Sequence, residues 1–148
     1  MFLTLKDLAG LFRDKKGIQD DMLFYTVSDQ ATATQPKGLF VPTTEDSGEL
    51  LEAIANGAIA AIWEYEKKLP RYVPSQFPIF FTNNQAESLR DILTLYTEKL
   101  NGETSKDMEI TNFQLSRKTL LNKNYQTYDI AGSLDKLVNK LNGKERRE

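Results

Sequence analysis

The stretch Ala53-Ile54-Ala55-Asn56-Gly57-Ala58-Ile59-Ala60-Ala61-Ile62-Trp63 decides the fold class. Ahead of it, Leu50, Leu51 and Ile54 recur at helical spacing, and Ala58 completes the stripe, so a helix is expected from about Ser47. Gly57 stands where the helix must stop, because glycine adopts the positive-φ cap that other residues resist. Ala58 to Trp63 is then apolar without alternation, the pattern of a strand covered on both faces. The small side chains of Ala58, Ala60 and Ala61 let helix and sheet approach closely. A helix running directly into a doubly buried strand is the signature of a layered α/β domain.

Outward from this core the same grammar repeats. Gly38-Leu39-Phe40-Val41-Pro42 reads as a second buried strand, Met22–Val27 as a β-rich run, and Phe77–Phe81 as a further strand. Thr4 precedes Leu5, Leu8, Leu11 and Phe12, which predicts a capped leading helix. Asn83-Asn84-Gln85 predicts a turn, followed by a helix over about 85–100 with Leu89, Ile92, Leu93 and Tyr96 on one face. The order α-β-β-α-β-β-α predicts a small mixed or parallel sheet with helices on both faces, formed by residues 1–100. Residues 101–106 read as a polar linker to a short α/β extension over 101–148. In it, Met108–Leu115 is expected as a strand, Ser116–Lys123 as a helical turn and Tyr125–Ile130 as another strand. Ser133 is expected to cap a helix carrying Leu134, Leu137, Val138 and Leu141, ended by Gly143, with a frayed tail over Lys144–Glu148.

Composition restricts the chemistry. The 148 residues are 40% hydrophobic and 27% charged, enough for one core without disulfides or metal. Cysteine and histidine are both absent, which removes thiol nucleophiles, cysteine zinc sites, serine–histidine triads and imidazole bases. The 8 glycines nowhere form the spacing of a phosphate-cradling loop. The chain is therefore expected to be no enzyme, with no catalytic residue, no cofactor and no metal. Residues 1–98 carry 9 basic and 14 acidic side chains and residues 99–148 carry 10 and 7, an asymmetry too small to argue for nucleic acid. Trp63, Tyr65, Tyr72, Phe77, Phe80 and Phe81 are read as core packing, since their neighbourhood is acidic. No apolar run approaches the ~20 residues of a membrane span and no signal segment is seen, so a cytoplasmic location is expected.

From Tyr25 to Leu100, about half the chain, the sequence resembles the N-terminal, substrate-recognition domain of the bacterial Mur ligases, which build the UDP-N-acetylmuramoyl peptide precursor of the cell wall. The resemblance rests on Gln35-Pro36-Lys37-Gly38-Leu39-Phe40-Val41-Pro42, on Ala53 to Glu64, and on Pro78-Ile79-Phe80-Phe81-Thr82-Asn83-Asn84-Gln85-Ala86-Glu87-Ser88-Leu89. These match, in order and spacing, the family's P-G-x-L-F-V-A, A-I-x-x-G-A-x-A-x-x-x-E and strand–helix segments. In the same register the family's D-S-R falls on Gln30-Ala31-Thr32, and the D-G-H region on Asp46-Ser47-Gly48. The arginine suited to bidentate phosphate contact is thus replaced. Where a full Mur ligase opens its ATP-binding domain with I-T-G-T-N-G-K-T, this chain has Ile110-Thr111-Asn112-Phe113-Gln114-Leu115-Ser116-Arg117-Lys118-Thr119, without the glycines.

The resemblance implies a stand-alone, non-catalytic binding domain for a UDP-linked sugar or cell-wall precursor. Ligands of open α/β sheets gather beyond the carboxyl ends of strands. The hydroxyl-rich loops there supply the candidate ligand-binding residues Ser28, Asp29, Gln30, Thr32, Thr43, Thr44, Asp46 and Ser47. The alternative is a protein–protein interaction module that has lost this site. Its final amphipathic helix either covers the chain's own sheet or makes a homo-oligomer contact.

Overall fold

A computed structural model describes residues 1–18, 20–100, 109–116 and 131–138. Thr4 caps the first helix, α1 (Leu5–Leu11), reciprocally: its hydroxyl accepts from Asp7 N while Asp7 accepts from Thr4 N. Asn84 caps the longest helix, α3 (Gln85–Lys99), by accepting from Glu87 N. Between them lie β2 (Lys15–Lys16), β3 (Leu23–Phe24), β4 (Thr26–Ser28), β5 (Gly38–Phe40), α2 (Leu50–Ala55), β6 (Ala58–Glu64) and β7 (Ile79–Thr82). β1 (Leu3–Thr4) precedes α1, and β8 (Asn112–Gln114) follows α3.

Six strands form one mixed sheet in the order β2-β7-β6-β5-β4-β8, and β1 pairs β3 separately. All neighbours in the main sheet are parallel except β2, which runs antiparallel on β7. The chain steps from β4 through β5 and β6 to β7 in one direction. It then crosses back to lay β8 on the other side of β4. A register shift pairs Gly38 with Ala58 but Leu39 with Ala60.

Both faces of the sheet are covered. Val27, Leu39, Ile62 and Phe80 pack with Leu5 and Leu8 of α1 and with Leu89, Ile92, Leu93 and Tyr96 of α3. Phe40, Ala61 and Ile79 pack with Leu50 and Ala53 of α2. Gly57 sits at φ +117°, and a Cβ there would lie 2.5 Å from the Gln35 carbonyl oxygen. The parallel step from β4 to β5 has no helix, so the loop 29–37 itself lies over β4. The buried polar residues of β4 satisfy that loop: Thr26 Oγ1 donates to Pro36 O, and Ser28 Oγ both donates to Gln30 O and accepts from Gln30 N.

Several expectations are refined. Met22–Val27 is two strands broken at Tyr25, because β3 turns aside to pair with β1. The helix expected from Ser47 begins at Leu50, after a 3₁₀ turn at Glu45–Ser47, and Leu51 is 53% exposed rather than on the buried stripe. Lys15–Lys16, which carries no apolar pattern, is an edge strand. The strand expected over Met108–Leu115 narrows to β8, and its pairing with β4 places it in the main sheet. Residues 131–138 are helical, so Ser133 lies inside the helix rather than at its cap. Leu134 and Leu137 of that helix pack against the chain's own core. The turn over 117–123, the strand at Tyr125–Ile130, Leu141, Gly143 and the tail lie outside the described residues.

Candidate functional site

The eight candidate residues stand on two loops, and backbone hydrogen bonds bring those loops together. Val41 N donates to Ser28 O at 2.8 Å, at the carboxyl ends of β4 and β5. Ala31 N donates to Ser47 O at 2.7 Å, and Asn56 Nδ2 fixes the Ala31 carbonyl at 2.8 Å. Gly48, at φ +97°, admits this contact, since a Cβ there would lie 2.8 Å from the Ala31 methyl. The two loops therefore share one ridge above neighbouring parallel strands.

The side chains divide by task. Ser28 is fully buried and committed to the turn around Gln30. Ser47 is 1% exposed, and its hydroxyl accepts from Thr44 N. Asp29 is fully buried, and its carboxylate accepts from Ser116 N at 2.9 Å and Ser116 Oγ at 2.8 Å. Gln30 is half-buried and donates from Nε2 to the Asp29 carbonyl. Thr43 is buried, Thr44 half-buried, and Thr32 and Asp46 exposed. Thr32 and Asp46 thus offer the more open surface, and Ser28, Asp29 and Ser47 hold its shape.

Three residues outside the eight belong to this neighbourhood. Gln35 is fully buried; its Nε2 donates to Gln30 O and Ala33 O, and its Oε1 lacks a partner among the described residues. Gln114 faces Ser28 across the β4–β8 pair and also carries a buried Oε1 without a partner among the described residues. Ser116 reaches Asp29 only because β8 returns to β4. Nothing local in the sequence announces that pairing, so these contacts were not readable from spacing. Thr44 Oγ1 is likewise buried without a partner among the described residues. Buried acceptors of this kind call for a donated hydrogen bond.

β8 is itself pinned by a buried network. Thr111 Oγ1 accepts from Leu3 N at 2.8 Å and donates to Phe24 O at 2.6 Å. Tyr96 Oη accepts from Thr111 N at 2.8 Å and donates to Met1 O at 2.5 Å. Burial pushes the Tyr96 phenol above its ordinary pKa, although the Thr111 bonds pull the other way.

No protein-family model matches the chain, and no curated protein matches it. Among the described residues there is no group of three acidic, histidine or cysteine side chains placed to hold a metal ion, and no helix long and apolar enough to cross a membrane.

Proposed function

We propose that the chain is a non-catalytic recognition domain of the Mur ligase N-terminal type, binding a UDP-linked sugar or related cell-wall precursor. The observation that carries this reading is the meeting of the loops 29–35 and 42–48 over the carboxyl ends of β4 and β5. They lie beside the β4–β8 boundary where strand order reverses. Crevices at such reversals are where open α/β sheets take their ligands. Thr32 and Asp46, both exposed, supply hydroxyl and carboxylate groups for ribose and sugar hydroxyls. Ser28, Asp29, Gln30 and Ser47 hold the loops in place.

Thermal unfolding with UDP and with UDP-N-acetylmuramic acid tests the proposal. Ligand at 100 times its Kd stabilises a one-site domain by about 2.7 kcal/mol, and substitution of Thr32 by valine and Asp46 by alanine should reduce that gain. No shift with either ligand at millimolar concentration overturns it. The alternative, an interaction module self-associating through the last helix, draws less support, because Leu137 of that helix is 3% exposed within the chain's own core. A dimer in sedimentation that Val138→Asp dissociates would restore it.

A further inference from the structure

A second cleft opens where β6 and β7 end, separate from the loops after β4 and β5. Its volume is about 400 Å³, within the range of small-molecule sites. Its aromatic wall is Tyr65, just past β6, stacked on Phe81 of β7 with ring centroids 5.8 Å apart and planes 23° from parallel. The wall is anchored by backbone: Tyr65 N donates to Thr82 O at 3.0 Å, and Phe81 N donates to Asp14 O at 3.0 Å. Tyr65 Oη donates to the Asp14 carboxylate, which holds the phenol above its ordinary pKa. Tyr65 is nevertheless 46% exposed, so much of its surface is not consumed by the core.

The remaining lining is polar and mixed in kind. Arg13 and Asn83 are exposed and make no hydrogen bond or ion pair among the described residues. Asn84 uses its carbonyl oxygen to cap α3, and its amide N–H groups are not engaged there. Asp14 has acceptor capacity beyond the Tyr65 hydroxyl, because a carboxylate offers about four lone-pair positions. Donors and acceptors therefore sit side by side against an aromatic surface. That combination suits hydroxyl groups, each of which donates and accepts, on a ring with an apolar face. Charge narrows the class. Asp14, Glu87 and Asp91 line the cleft against Arg13, which disfavours a phosphate despite the start of α3. Arg13 in turn raises the cost of a cation seated on Tyr65.

We propose that this cleft binds an uncharged, polyhydroxylated ring such as a pyranose, at a site distinct from the loops assigned above. The test is a titration of the ¹⁵N-labelled full chain with glucose and with N-acetylglucosamine as probes. Spermidine and inorganic phosphate serve as the charged comparisons. The expected result is saturable shifts of the Thr82–Glu87 amides and of the Asn83 and Asn84 side-chain amides, with a Kd on the order of 1 mM. Tyr65→Ala should weaken binding about tenfold and Tyr65→Phe, which keeps the ring, by less. Asn83→Ala, at an exposed turn, should weaken it without disturbing the wall. Shifts confined to residues 29–35 and 42–48 would overturn this proposal while supporting the first site. It is also overturned by silence with both sugars, by a response to spermidine or phosphate alone, or by affinity indifferent to Tyr65→Ala and Asn83→Ala.

Discussion

Gly57 and Tyr96 show how differently single residues declare their roles. Gly57 was legible in advance, because a glycine between a helical stripe and a buried strand has one obvious use. At φ +117° and 2.5 Å from Gln35 O, an added Cβ meets both strain and collision. Gly57→Ala is therefore expected to cost at least ~1–3 kcal/mol, read as a lowered urea midpoint at unchanged slope. Tyr96 was legible only as one member of an apolar stripe. Its hydroxyl matters because Met1 and Thr111, remote in sequence, converge on it. Tyr96→Phe leaves those backbone groups unpaired, at a cost of about 1–3 kcal/mol in the same assay. The raised phenol adds a pH signature. The folded state holds this proton more tightly than the unfolded chain, so its contribution is complete below the ordinary tyrosine value of 10.0 and fades as pH rises above it. Tyr65 is raised too, so the share of the alkaline loss that Tyr96→Phe removes should survive in Tyr65→Phe.

Among elements, those with apolar patterning could be read and those held by backbone pairing could not. The face of α3 carrying Leu89, Ile92, Leu93 and Tyr96 is buried as its spacing requires. β2 has no sequence signature because Lys15-Lys16 carries no apolar pattern; it exists through its antiparallel pairing with Ile79 and Phe80. β8 was visible as a short strand, but its partner was not, since nothing in Asn112-Phe113-Gln114 names Thr26-Val27-Ser28. The same gap limited the candidate site. Its loops were found from their composition, but Ser116 and Gln114 enter only through the β4–β8 pairing. The Asp29–Ser116 clamp secures the end of β8. Asp29→Ala should speed hydrogen exchange at the amides of Asn112 and Ser116, leaving β6 and β7 protected. Uniform loss of protection would mean that β8 has no stability of its own to lose.

At the scale of the whole molecule, the sheet is not complete at residue 100. β8 covers the outer edge of β4, and Thr111 bonds to both Leu3 and Phe24. A chain ending at residue 100 should accordingly unfold at lower urea than the full chain, with exposed apolar surface detectable by dye binding. Equal midpoints would show that β8 is dispensable. Leu137→Ala should lower stability by about 2–5 kcal/mol, as for other buried leucines, measured by the same unfolding curve. The bond from Leu3 N to Thr111 Oγ1 spans 108 positions. Synthesis runs from the amino end, at about 5–20 residues per second. Until residues 111–114 have emerged, then, β4 has an open edge and Tyr96 lacks its acceptor role toward Thr111. The nascent chain can close this part of its sheet only after that segment is released, so an unpaired strand edge is exposed in the interval.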